Sequence, residues 1–122
     1  MLIIQPVPYE RLQELCRENG APASMFCCEA TENGQSRGFI MFDGKAGTVK
    51  VTALCCAADL ADALLRAGFN AGYMVGLKHF AFTPQVMELW RPTLRALDYP
   101  LEGGNIEEFF AKGCRASQLN KQ

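Results

Sequence analysis

Apolar residues recur along this chain in two rhythms, and each rhythm predicts its own kind of element. Met1 to Ile4 is a short apolar run ended by Pro6 and Pro8, which predicts a strand. Over 8–19, Tyr9, Leu12, Leu15 and Cys16 return at three- and four-residue intervals while Glu10, Glu14 and Glu18 face elsewhere. That is an amphipathic helix, with Gly20 as a left-handed stop. Residues 25–31 read as a strand and Glu32-Asn33-Gly34-Gln35 as a hairpin turn. The run Gly38-Phe39-Ile40-Met41-Phe42 is apolar on both faces, as a central strand covered on both sides must be. After the turn at 43–47, Val49, Val51, Ala53 and Cys55 alternate with Thr48, Lys50 and Thr52.

The spacing then changes to 3.6. Leu60, Leu64, Leu65, Gly68 and Phe69 lie along one side of a predicted helix over 59–72, with Gly68 allowing close approach to the sheet. A short strand over 76–82 follows. Thr83-Pro84 starts another helix, whose apolar stripe is Val86, Leu89, Trp90, Leu94 and Leu97 and whose interior Pro92 predicts a kink or a split. Tyr99-Pro100 ends it, and 106–112 reads as a last strand, its adjacent Phe109 and Phe110 on opposite faces. The order is strand, helix, three-strand meander, helix, strand, helix, strand. It predicts an α+β layered fold, a mixed and mostly antiparallel sheet with helices packed on both faces.

Length and charge narrow the function. At 122 residues the chain makes one domain, with 114–122 as a polar tail. Twelve Lys and Arg against thirteen Asp and Glu leave a net charge of −1, which argues against nucleic acid as a partner. The first residues lack the basic stretch of a signal peptide, and no segment approaches the ~20 apolar residues of a membrane span, so a cytoplasmic location without membrane contact is expected. In that compartment the six cysteines are expected as free thiols, mostly buried as small hydrophobes. The adjacent pairs Cys27-Cys28 and Cys55-Cys56 lack the spacing of a metal or redox motif, and no metal site is expected.

The element order over 32–99 resembles the core of the GNAT superfamily of N-acetyltransferases. The features that carry the resemblance are the turn before Gly38-Phe39-Ile40, the strand 48–55 running straight into a helix with Ala63-Leu64-Leu65, the strand 78–82, and the closing Leu94-Arg95-Ala96-Leu97-Asp98-Tyr99. This last is similar to the tyrosine-x-x-leucine-glycine-phenylalanine ending of that superfamily.

The resemblance implies a coenzyme site at the turn after the meander strand, where members use a basic, glycine-rich loop so that backbone N–H groups reach the pyrophosphate of acetyl-CoA. This chain has Cys55-Cys56-Ala57-Ala58-Asp59-Leu60-Ala61-Asp62 there, without glycine or base. Asp59 is expected as the helix N-cap and Asp62 in the first turn, taking the donors a phosphate would use. The carboxylate many members carry on the meander strand has no counterpart between Asp43 and Asp59, and the position of their thiolate-protonating tyrosine is Leu94. Tyr73 and Tyr99 are expected to pack or to contact helix ends. His79, an imidazole on the strand bordering the implied cleft, is the remaining candidate for catalysis.

Two functional classes follow. In the first, the domain has given up acetyl-CoA, uses no cofactor, and serves as a small-molecule or protein-interaction module, its ligand in the cleft between the two central strands. An exposed terminal strand near Phe109 would make it a homodimer. In the second, a divergent N-acyltransferase seats acetyl-CoA against Leu54, Cys55, Cys56 and Ala57, with His79 or the Cys55 thiol assisting.

Overall fold

The computed structural model describes residues 1–112; the polar tail 114–122 and Cys114 lie outside the described residues. The strands are β1 (Leu2–Pro6), β2 (Phe26–Glu32), β3 (Gln35–Lys45), β4 (Thr48–Cys56), β5 (His79–Phe82) and β6 (Gly104–Asn105). They form one sheet in sequence order, antiparallel throughout except for β4 with β5. The helices are α1 (Tyr9–Asn19), α2 (Ala61–Met74), α3 (Pro84–Ala96) and α4 (106–112). The two meander turns place Asn33 and Gly34, then Ala46 and Gly47, at positive φ, the conformation that matches a two-residue hairpin to the twist of its strands.

Helices cover both faces, as the pattern predicts. On one face Leu12 and Leu15 of α1 pack on Cys27, Phe39, Met41 and Ala53. On the other, Leu64, Leu65 and Phe69 of α2 pack on Ile40, Phe42, Val49, Val51 and Leu54. Neighbouring Cys27 and Cys28 fall in different clusters, one on each face. The helix α2 comes close to the sheet because Gly68 and Gly72, one turn apart, have no side chains there: a methyl at Gly72 would collide with Val49 Cγ2.

Four local expectations are corrected. First, the alternation in β4 breaks at Thr52, which bulges between the pairs Val51–Phe42 and Ala53–Met41. The bulge turns Leu54 to the α2 face and leaves Cys55 exposed. Second, Asp59 is not an N-cap. A 3₁₀ turn over Ala58–Leu60 precedes α2, Leu60 is already helical in backbone, and no side chain caps either element. Third, the segment 106–112 is helical, not a strand, and Asn105 Oδ1 accepts from the Glu108 N–H at its start. The final strand is the two-residue β6, paired with His79 and Phe80. Fourth, α3 is not split at Pro92, and Tyr9 and Leu89, placed in apolar stripes by spacing, are exposed.

Candidate functional site

The parallel pair β4–β5 ends early. Its last paired residues are Val51 and Phe82. The Thr83 N–H still donates to Val51 O at 3.1 Å, and then the chain leaves the sheet into α3. Thr83 caps that helix by accepting from the Val86 N–H, with Pro84 in the first turn. The strand β4 continues to Cys56 with β3 as its partner on one side. Its other edge, over 52–56, therefore opens a gap between the two central strands.

Trp90 enters this gap. It lies one turn along α3 from Val86 and one turn before Leu94, both buried, so the same face of the helix aims it at the sheet. Its indole Nε1–H donates to Leu54 O at 2.9 Å. The sequence places Trp90 in the core stripe and misses this role; the signal available was the indole N–H itself, which finds an acceptor when its ring is packed inward. Gly38 closes the far side of the strand end. With φ +143°, it lets β3 lie against Cys55 and Cys56, and a methyl there would sit 2.6 Å from Cys56 Cβ.

At the mouth of the gap, Ala57 leads into the 3₁₀ turn, where Leu60 N–H donates to Ala57 O at 3.0 Å. Asp62, in the first turn of α2, accepts from Arg66 Nε at 3.0 Å and from the Tyr99 hydroxyl at 2.6 Å. Burial, reinforced by the Asp62 carboxylate, raises the Tyr99 phenol far above its ordinary range and keeps it protonated. Arg66, the one basic residue of α2, also lies over Phe109 and Phe110, at 5.4 and 5.8 Å from the ring centres. Its charge is thus held by its own carboxylate and stacked on rings. Burial pushes the Cys56 thiol up to about 11, with Cys55 and Asp59 adding to the effect, so at neutral pH Cys56 is a thiol and not a thiolate nucleophile.

The predicted site residues thus divide. Leu54, Cys55 and Cys56 fall on the stretch of β4 beyond its last pair with β5, and Ala57 follows directly. His79 is on β5 as expected, but at its opposite end: it pairs with Thr48 and Asn105. Six residues of strand separate Thr48 from Leu54, about 20 Å, so His79 and the gap are distinct places. Tyr73 is on the surface, where its hydroxyl donates to Glu107. Two concavities lie elsewhere: one of about 610 Å³ beneath the end of α3 and α4, floored by Phe80, and one of about 420 Å³ between α1 and the linker at 21–24. Among the described residues, no cluster of three His, Cys, Asp or Glu side chains is arranged to hold a metal. Among the described residues, no helix is long and apolar enough to cross a membrane.

A sheet of four antiparallel strands followed by a parallel pair, with helices on both faces, has counterparts among solved structures. The chain has the GNAT fold. An IAA acetyltransferase from Bacillus cereus superposes with a TM-score of 0.56 at 13% identity, over 80% of this chain and 75% of that one. The ribosomal-protein-S18-alanine N-acetyltransferase of Escherichia coli gives 0.52 at 11% identity, over 75% and 76%. A GNAT family N-acetyltransferase of Escherichia coli, solved in complex with CoA, gives 0.52 at 17% identity, over 74% and 66%. No protein-family model and no curated protein matches the sequence. At these identities the likeness is one of fold, and chemistry must be argued from the site itself.

Proposed function

We propose that this GNAT-fold domain does not use acyl-CoA and acts as a binding module for a small molecule. The observation that carries the reading is the hydrogen bond from Trp90 to Leu54 O: the carbonyl that faces the gap already has a partner, and an indole stands where a ligand would lie along β4. Further features agree. The turn from Cys56 to Asp62 has no glycine, so its backbone cannot open into an anion-binding nest as readily. Asp59 and Asp62 put negative charge beside the start of α2, opposing a pyrophosphate by about 1 kcal/mol per contact in water and more in a drier site. Arg66, the base best placed to offset them, is committed to Asp62. No carboxylate lies on β4 to take a proton from an amine, and the His79 imidazole is about 20 Å along the strand.

Calorimetric titration with acetyl-CoA and with CoA, paired with thermal melts, tests this, because a ligand selective for the folded state must raise its melting temperature. The expected result is neither heat nor shift at millimolar ligand. Micromolar binding would overturn the reading and return the domain to the N-acyltransferases, acting on an amine. Trp90→Ala separates the two obstacles. If it alone creates acetyl-CoA binding, the indole was the whole barrier; the account expects it not to, since the acidic helix start remains.

A further inference from the structure

Three sulfur-bearing side chains, Cys16, Cys27 and Met41, come together where α1 packs on the sheet. Cys27 of β2 and Met41 of β3 stand opposite each other in register, so their side chains project to the same face with Cβ atoms about 5 Å apart. Cys16, in the second half of α1, packs down on that pair, and its Sγ lies 3.6 Å from Met41 Sδ. Burial pushes the Cys27 thiol up to about 12; Cys16 is close enough to be among the groups that add to this, while the Arg11 guanidinium works against it. Cys27 and Met41 are buried, but Cys16 is half-buried and lines the hollow of about 420 Å³ between α1 and the linker. Solvent therefore has a way to the first of the three sulfurs.

The geometry points to this cluster as a site for one soft monovalent metal ion, Cu(I), held by two thiolates and a thioether. Sulfur donors without imidazole or carboxylate select Cu(I), whereas Zn(II) closes its structural sites with four ligands drawn from thiolate, imidazole and carboxylate. The spacing agrees: at the 3.6 Å separation present, an ion with bonds of about 2.3 Å to sulfur would see Cys16 and Met41 about 100° apart. Such an ion needs no open surface, because it takes the place of the thiol protons among the sulfurs. Each cysteine releases its proton to solvent as its sulfur bonds to the metal, and copper stays Cu(I), so nothing is oxidised or reduced. The complex carries one negative charge, which the Arg11 guanidinium favours as it favours the Cys27 thiolate. The inference is independent of acetyl-CoA, since it uses the α1 face and not the strand gap.

Anaerobic titration of the reduced full chain with Cu(I), in competition with the colour-forming chelator bicinchoninate, tests this. One Cu(I) per chain is expected to be withheld from the chelator. Cys16→Ser should surrender it, and Met41→Leu, which keeps the core volume, should weaken binding by about tenfold. Cys55→Ser, which removes the exposed thiol most open to casual metal, should change nothing. Cu(I) should also raise the melting temperature of the natural chain and leave that of Cys16→Ser unmoved. With methyl-labelled methionine and Ag(I), a redox-inert stand-in for Cu(I), the Met41 methyl resonance should shift while those of exposed Met25 and Met74 stay. This last readout needs no substitution, so it decides alone if Cys16→Ser does not fold. No ion withheld, equal retention by a folded Cys16→Ser, loss of the ion in Cys55→Ser, Zn(II) bound as tightly as Cu(I), or an unmoved Met41 methyl would overturn the inference.

Discussion

Glu29 is the one buried charged residue among those described, 5% exposed on the middle of β2, and it is held there by Arg11 of α1. The guanidinium meets the carboxylate with Nε on Oε1 at 3.0 Å and Nη2 on Oε2 at 2.7 Å, the bidentate geometry that makes such pairs strong. Arg11 also reaches Glu14. The Arg11 hydrogen bonds hold the Glu29 carboxyl below its ordinary value, outweighing the burial that would raise it. A carboxyl lowered on folding contributes stability that is present above its unfolded pKa, near 4.3, and is lost as pH falls through the lower native value. Thermal melts from pH 7 to pH 2 should therefore show a decline beginning near pH 4. Glu29→Gln should cost about 2 kcal/mol at pH 7 and show a shallower acid decline. An acid limb identical in the two proteins would reject Glu29 as its source. Residue identity alone does not announce this pair, because Arg11 and Glu29 are eighteen positions apart and meet only after α1 docks. The same holds for Asp62 and Tyr99. A carboxylate just inside a helix start reads locally as a cap, yet its strongest partner comes from thirty-seven residues away.

Elements were legible where their own periodicity decides them. Helix α1, the meander turns and the capped start of α3 stand where the pattern puts them, because local spacing and turn chemistry agree with tertiary packing there. The pattern failed where a neighbour decides. The segment 106–112 is apolar enough for a strand, but Asn105 caps it as a helix and Phe109 joins Tyr99 and Phe80. The segment around Phe109 is therefore a helix and not a free sheet edge. The bulge at Thr52 was equally hidden: an extra residue leaves no mark in an alternation of Thr, Val and Ala. Packing between α2 and the sheet gives an element-scale test. Gly72→Ala gains helix propensity of about 1 kcal/mol but drives a methyl into β-branched Val49 on a rigid strand, so a net loss of about 1–2 kcal/mol is expected. Gly68→Ala meets the flexible end of Ile40, at 2.9 Å from Cδ1, and should change stability much less. Denaturant melts showing equal effects would contradict this description of the interface.

For the whole molecule, β4 and β5 part after the pair Val51–Phe82, and Trp90 of α3 bonds to the β4 edge beyond that point. The gap itself was implied by the family resemblance; its occupant was not, because Trp90 and Leu54 are thirty-six residues apart and meet only once α3 packs against β4. The central claim is that the indole closes the gap in solution. As the chain has a single tryptophan, its indole N–H gives one resonance and reports on this bond alone. Hydrogen exchange at that N–H, measured with and without millimolar acetyl-CoA, is the most direct test. The account predicts slow exchange and an unmoved resonance in both samples. Rapid exchange in the free protein, or a resonance that shifts as acetyl-CoA is added, would contradict it and show a gap open to the coenzyme.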